Sequence, residues 1–314
     1  MLKSGSSRTI GITLGDPAGI GPEITAKALS QISPRIRRQF LVIGDQTTLR
    51  RYFSSRMSNV ELYPVDGSGK VDWKPGKPTV NSGRASLSFL ETSIDLLKSG
   101  IIGALVTAPL AKESVCRFQP GFVGHTEYLA QAFGIKRFDM MFVTDEIKSV
   151  IVTRHIPIKD VPSSLTKDKV FNSIKLIDAS LRNTFGIRRP KIAVCGLNPH
   201  AGENGLLGRE EITTIVPAIK KARGRGVNVL GPLSGDTMFV PYRRKGFDAI
   251  IAMYHDQGLI AMKTMYFDQV VNVTIGLPFV RTCPAHGTAF DIAGKNKADA
   301  SSMFEAVKLA IKLS

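Results

Sequence analysis

The chain has 314 residues, of which 43% are hydrophobic, with 29 glycines and 17 prolines; this is globular α/β usage, with material for a substantial core in one large or two ordinary domains. No run of about 18 apolar residues occurs, which excludes a membrane-spanning helix, and the polar start MLKSGSSRT argues against a secretory leader. The formal charge of +16 favours anionic partners, yet the basic clusters at Arg35 to Arg38, Arg50 to Arg51, Arg182 to Arg189, Lys220 to Arg225 and Arg243 to Lys245 lack the interleaved aromatics of a single-strand binder, so no specific nucleic acid is expected, only salt-sensitive adhesion.

In chain order, short apolar runs predict buried strands at Ile10 to Leu14, Phe40 to Ile43, Ala104 to Val106, Met140 to Val143, Val150 to Val152, Ile192 to Cys195, Ala249 to Met253 and Val271 to Ile275. Between them lie stripes at helical spacing. Leu87, Leu90, Ile94 and Leu97 form the first, stopped by Lys98 and a capping Gly100. Val170, Ile174, Ile177 and Leu181 form the second, and Ile212, Ile215, Ile219 and Ala222 the third. A last helix begins near Ser301 with Phe304, Val307, Ala310 and Ile311 on one face. This alternation predicts a mostly parallel sheet covered by helices on both sides. The turn GDPAGIGPE after the first strand is glycine-rich but spaced G-x-x-x-G-x-G, neither a complete G-x-G-x-x-G nor a Walker pattern, and Pro22 suits the start of a helix.

Histidine is scarce, with five in the chain, and four sit in polar signatures: G-H-T-E (His125), R-H-I-P (His155), N-P-H-A-G-E (His200) and Y-H-D-Q-G (His255). The last three follow the apolar runs IKSVIVTRH, KIAVCGLNPH and FDAIIAMYHD, which places three imidazoles at strand ends, where open α/β folds bind ligands. A single histidine after a strand is more often a loop residue or a cap. Three in one pattern point to a divalent metal that polarises a substrate oxygen, with Asn198, Glu203, Asp256, Gln257 and Asp160 available to orient the rings. The three cysteines, Cys116, Cys195 and Cys283, have neither metal nor redox spacing, so a reducing, cytoplasmic setting is expected.

The segments GDPAGIGPE, GHTE, GLNPHAGE, MYHDQG and VNVTIGLPFVRT, in register along nearly the whole chain, resemble the 4-hydroxythreonine-4-phosphate dehydrogenase (PdxA) family. The resemblance implies an isocitrate/isopropylmalate dehydrogenase-like fold of two α/β/α domains with a mostly parallel sheet and a cleft between them. It implies a cofactor-side domain of residues 1–123 plus 283–314 and a substrate, metal and dimerisation domain of residues 124–282. It further implies a homodimer whose active site is shared between subunits, His255 coming from the partner; a divalent metal (zinc, magnesium or cobalt) on His155, His200 and His255; and NAD or NADP. His125, Thr126, Lys263, Asn272 and Arg281 match the positions that hold the phosphorylated substrate. The block PAHGTAFDIAGKNKAD is similar to the adenosine-cradling loop of isopropylmalate and isocitrate dehydrogenases, so His286, Gly287, Thr288, Ala289 and Asp291 are expected at the cofactor, with Ala285 standing where relatives carry an aspartate.

The implied reaction is oxidation of the secondary hydroxyl of 4-phosphohydroxy-L-threonine to 2-amino-3-oxo-4-phosphooxybutanoate, which decarboxylates to 3-amino-2-oxopropyl phosphate on the way to pyridoxal phosphate. The proton acceptor is Asp256, Asp236 or Lys263. Other readings are a relative acting on 4-phospho-D-threonate, the erythronate or a cyclic dihydrodiol, a three-histidine metallohydrolase, and a basic nucleic-acid-binding protein without catalysis.

Overall fold

The structure, a computed structural model, describes residues 9–53, 57, 59–65 and 71–314; residues 1–8 of the polar start, and the Arg243 side chain, lie outside the described residues. In chain order the strands are β1 (Ile10–Thr13), β2 (Phe40–Gly44), β3 (Glu61–Pro64), β4 (Ala104–Thr107), β5 (Asp139–Val143), β6 (Lys148–Thr153), β7 (Ile192–Cys195), β8 (Val229–Leu233), β9 (Ala249–Tyr254), β10 (Val271–Ile275) and β11 (Val280–Pro284). The helices are α1 (Gly21–Ser30), α2 (Pro34–Arg37), α3 (Gln46–Tyr52), α4 (Val80–Lys98), α5 (Lys112–Cys116), α6 (His125–Ala132), α7 (Val161–Ser164), α8 (Lys167–Asn183), α9 (Val216–Arg223), α10 (Gly235–Met238), α11 (Pro241–Arg244), α12 (His255–Tyr266) and α13 (Ser301–Leu313). Among the described residues no helix is long and apolar enough to cross a membrane.

The chain divides into two compact units, Met1–Lys136 with Leu277–Ser314, and Arg137–Gly276. In the first the strand order is β3-β2-β1-β4-β11, all parallel. Every residue of β1, β2 and β4 is buried. Because side chains alternate across a strand, that pattern requires cover on both faces. α4 packs on β1 and β2, and α13 packs on β4 and β11 with α1 beside it. The Thr79 hydroxyl accepts from the Ser82 amide while the Ser82 hydroxyl accepts from the Thr79 amide, a reciprocal cap that starts α4. Residues 124–136 and 277–282, expected with the middle segment, pack with the termini instead, since α6 rests on α4 and Val280 of β11 pairs with Ala104 of β4.

In the second unit the order is β10-β5-β6-β9-β7-β8, antiparallel from β10 to β6 and parallel from β6 to β8. Its stripe on α8 is wholly buried, as expected: Val170, Ile174, Ile177 and Leu181 are each at 0% exposure. The third stripe is interrupted. Ile215, Ile219 and Ala222 are buried, but Ile212 is 44% exposed, because residues Glu211–Ile215 form a widened π turn ahead of α9. Pro217 has no N–H to give to the carbonyl four residues earlier, so the turn before it opens and the phase shifts.

Candidate active site

Parallel pairing of β6 with β9 sets Thr153 opposite Tyr254, and the Thr153 hydroxyl donates to the Met253 carbonyl at 2.6 Å. The two strands therefore end level, and the histidines just beyond them meet: the rings of His155 and His255 lie 5.5 Å apart, centroid to centroid. Both line a cavity of about 240 Å³ with Arg154, Ile158, Tyr254 and Asp256. His255 and Asp256 also border a second cavity, of about 340 Å³, together with Lys263 on the same side of α12. His255 Nδ1 lies 2.7 Å from Asp256 Oδ1. An ionised carboxylate can only accept, so Nδ1 carries the proton and Nε2 is left to face the cavity or a ligand.

His200 leaves β7, the strand on the other side of β9. Its Nδ1 lies 2.6 Å from Glu203 Oε1, and this hydrogen bond, with the charge behind it, raises the imidazole above its ordinary value. The loop that carries it is unusual: His200, Ala201, Gly202, Glu203 and Asn204 all have φ between +42° and +78°. Non-glycine residues pay for that conformation, so the surroundings must impose it. Glu211 does so. Its carboxylate, 3% exposed, accepts from the Leu197 and Asn198 amides at 2.8 Å each and from Asn198 Nδ2 at 2.9 Å. Gln257 then ties this loop to the start of α12, donating to the Gly196 carbonyl at 2.7 Å and accepting from the Met253 amide at 2.6 Å. Asp236, exposed and held below the usual carboxylate range first by the Ser234 hydroxyl at 2.5 Å, adds its charge to the field at His200. Within the chain, and among the described residues, no three of His, Cys, Asp and Glu converge as a ready metal cage.

The first unit holds the other signature. Gly124, at φ +134°, precedes α6, and Lys112 crosses so close that a side chain at Gly124 would come within 3.0 Å of its Cε. Arg281 on β11 is 2% exposed and donates to the Thr107 hydroxyl at 2.5 Å and the Thr126 hydroxyl at 3.4 Å. Burial, then Arg281, then Lys112 hold His125 well below its ordinary value, so it stays neutral beside two cations. Such a corner suits an anion. Lys112 was not singled out by the sequence, in which APLAKE reads as an ordinary helix start. Asn272, in the second unit, is half-buried; its Nδ2 donates to Met140 Sδ at 3.4 Å, and among the described residues its buried Oδ1 has no partner.

The C-terminal block forms the stretch 285–300, with neither helix nor strand, between β11 and α13. His286, Gly287 and Asp291 are exposed or half-exposed, Ala289 is left-handed at φ +41°, and His286 Nδ1 donates to the Gly287 carbonyl at 3.0 Å. The GDPAGIGPE turn lies directly against it: the Ile20 amide donates to the Thr288 carbonyl at 3.0 Å, and a side chain at Gly19 would sit 3.0 Å from the same oxygen. That close approach explains a glycine there.

Each unit is an α/β sheet covered by helices, with polar groups gathered at its strand ends. A beta-decarboxylating dehydrogenase from Thermococcus kodakarensis shares this fold, with a TM-score of 0.51 at 16% identity over 96% of this chain and 83% of that one. A family model described as pyridoxal phosphate biosynthetic protein PdxA matches residues 23–310, and the chain belongs to that family. It is 41% identical to the 4-hydroxythreonine-4-phosphate dehydrogenase of Sulfurihydrogenibium sp. (strain YO3AOP1), over 97% of this chain and 98% of the relative. It superposes on a crystal structure of the Klebsiella pneumoniae 4-hydroxythreonine-4-phosphate dehydrogenase with a TM-score of 0.87 at 35% identity, covering 97% of this chain and 99% of that one.

Proposed function

We propose that this chain is an NAD- or NADP-dependent dehydrogenase that oxidises 4-phosphohydroxy-L-threonine with the help of a divalent metal, as a cytoplasmic homodimer in the synthesis of pyridoxal phosphate. The observation that carries the reading is the level pair His155 and His255, 5.5 Å apart, with a carboxylate on Nδ1 of His255 and another on Nδ1 of His200. The homodimer would bring His255 of one subunit together with His155 and His200 of the other around one divalent ion. His155, His200 and His255 would hold it, and an all-imidazole donor set suits zinc or cobalt better than magnesium. Exposed Ile158 and Phe267, at 73% and 71%, border the two cavities at His255 and support a second subunit there.

A bound divalent ion would supply polarisation of the substrate hydroxyl, and a bound oxidised nicotinamide would supply the acceptor for the hydride of the carbinol carbon. Asp256 and Glu203 fix the tautomers of His255 and His200, leaving each Nε2 for the ion, and Asp236, kept ionised by Ser234, adds negative charge near His200 that would favour a bound cation. Lys263, beside His255 and Asp256, exchanges the hydroxyl proton directly or through one water. Arg281 and Thr126 take the phosphate, neutral His125 adds a hydrogen bond without a further charge, and Asn272 turns its unpartnered amide oxygen to the amino-acid end. His286, Gly287, Thr288, Ala289 and Asp291 meet the adenosine half of the dinucleotide. The product is a β-keto acid, which loses CO2 readily to give 3-amino-2-oxopropyl phosphate.

The test is NADH or NADPH formation, followed by absorbance, from 4-phosphohydroxy-L-threonine and separately from 4-phospho-D-threonate, using metal-stripped protein restored with zinc, cobalt or magnesium. Metal-dependent turnover of the amino acid is expected. Preference for the threonate would move the chain to the sugar-acid branch, and no reduction with either substrate would overturn the dehydrogenase reading.

A further inference from the structure

We propose that Glu23 and Lys27 are positioning residues for the dinucleotide, gripping the far end of the 285–300 loop and so setting cofactor affinity. The proposal rests on the reading that this loop meets the adenosine half. A stretch of that length without helix or strand keeps one conformation only if its neighbours impose it. Ala289 and Asn296 are both left-handed non-glycine residues, at φ +41° and +57°, so this loop in particular needs to be held.

It is held at two ends. At the near end the Ile20 amide donates to the Thr288 carbonyl at 3.0 Å. At the far end Glu23 Oε1, on a side chain only 5% exposed, accepts from the Ala298 amide at 3.0 Å and from Lys27 Nζ at 2.8 Å. Lys27 Nζ in turn donates to the carbonyls of Asn296 at 3.1 Å and Ala298 at 2.8 Å. One ion pair, four residues apart on α1, thus satisfies an amide and two carbonyls of a loop more than 260 positions away in sequence. Charge-assisted bonds of this kind are the stronger sort, and losing them frees the loop without touching its own residues. The loop then presents His286 to Asp291 in a broader set of conformations, and binding must restore the order.

The experiment is fluorescence titration of the full-length protein with NADH and NADPH, beside steady-state kinetics, for Glu23→Ala, Glu23→Gln, Lys27→Met and His286→Ala. Glu23→Ala and Lys27→Met are expected to weaken the preferred dinucleotide about tenfold. The dinucleotide KM should rise in step while kcat at saturation changes by less than about twofold, and Glu23→Gln, whose amide oxygen still accepts from Ala298, should recover part of the loss. If Glu23→Ala does not fold, Lys27→Met decides, since Lys27 is one-third exposed. If His286→Ala weakens binding and neither Glu23→Ala nor Lys27→Met does, the positioning role is overturned and the cofactor reading stands. If none of the variants weakens binding, the cofactor reading of the loop falls, and the proposal with it.

Discussion

A histidine takes its charge from its surroundings, and His125 is set among cations. Burial, Arg281 and Lys112 all lower it, so it contributes stability that is present above the unfolded value of 6.5 and is lost as pH falls below it, where the unfolded chain takes up a proton that the native state refuses. Asp139 has the opposite sign. Desolvation pushes it from 3.8 to about 6 against the opposing charge of Arg154, 3.5 Å away, so its contribution is complete below 3.8 and is lost as pH rises through about 6. Two units of difference correspond to roughly 3 kcal/mol. Because the two effects oppose each other, one melting curve against pH separates neither. The His125 ring resonance should stay flat between about pH 5.5 and 8 in NMR, and an ordinary titration there would refute the neutral assignment. For Asp139, the stability gap between Asp139→Asn and the parent should narrow as pH falls from about 8 to 4; a constant gap would mean that Asp139 ionises normally.

At the scale of elements, the GLNPHAGE loop is where conformation is least determined by its own residues. Five consecutive left-handed residues are kept in place by Glu211, whose three hydrogen bonds go to the loop's start. Glu211→Ala is expected to cost about 3 kcal/mol and to speed amide exchange through residues 196–205, read by hydrogen exchange and mass spectrometry. Unchanged exchange in that loop would show that the left-handed turn holds itself. Little of this is legible in sequence, where Glu211 reads as one more surface acid in GREE. The strands buried on both faces were legible, because their apolar runs have no polar alternation to confuse. β3 was not, being exposed at every position, and β8 was not, since its Gly231-Pro232 pair reads as a turn. β11 carries Arg281 and ends at Pro284, which masks it as a loop. For the site, the positions of His155, His200 and His255 were legible because they come after β6, β7 and β9, whose apolar runs are clear in the sequence. Glu23, Lys27 and Lys112 were not, because what they touch is brought to them only by the fold.

For the molecule as a whole, composition gave the α/β class, and the +16 charge bears on how anions are drawn in rather than on the fold. The boundaries of the units depend on pairings that composition does not encode. The first unit is built from two separate stretches of chain, with β11 completing one side of β4 and α13 covering both. The middle unit is one continuous stretch of chain, Arg137–Gly276. During synthesis, then, residues 137–276 can finish folding while the earlier residues still wait for their closing strand and helix, a reversal of the usual N-terminal-first order. A chain ending at Gly276 should yield a protease-resistant fragment spanning 137–276 while residues 9–136 are digested, and protection of the earlier segment would refute that order. Until residues 277–314 emerge from the ribosome, the open flank of β4 is the nascent chain's point of greatest exposure to aggregation and to chaperones.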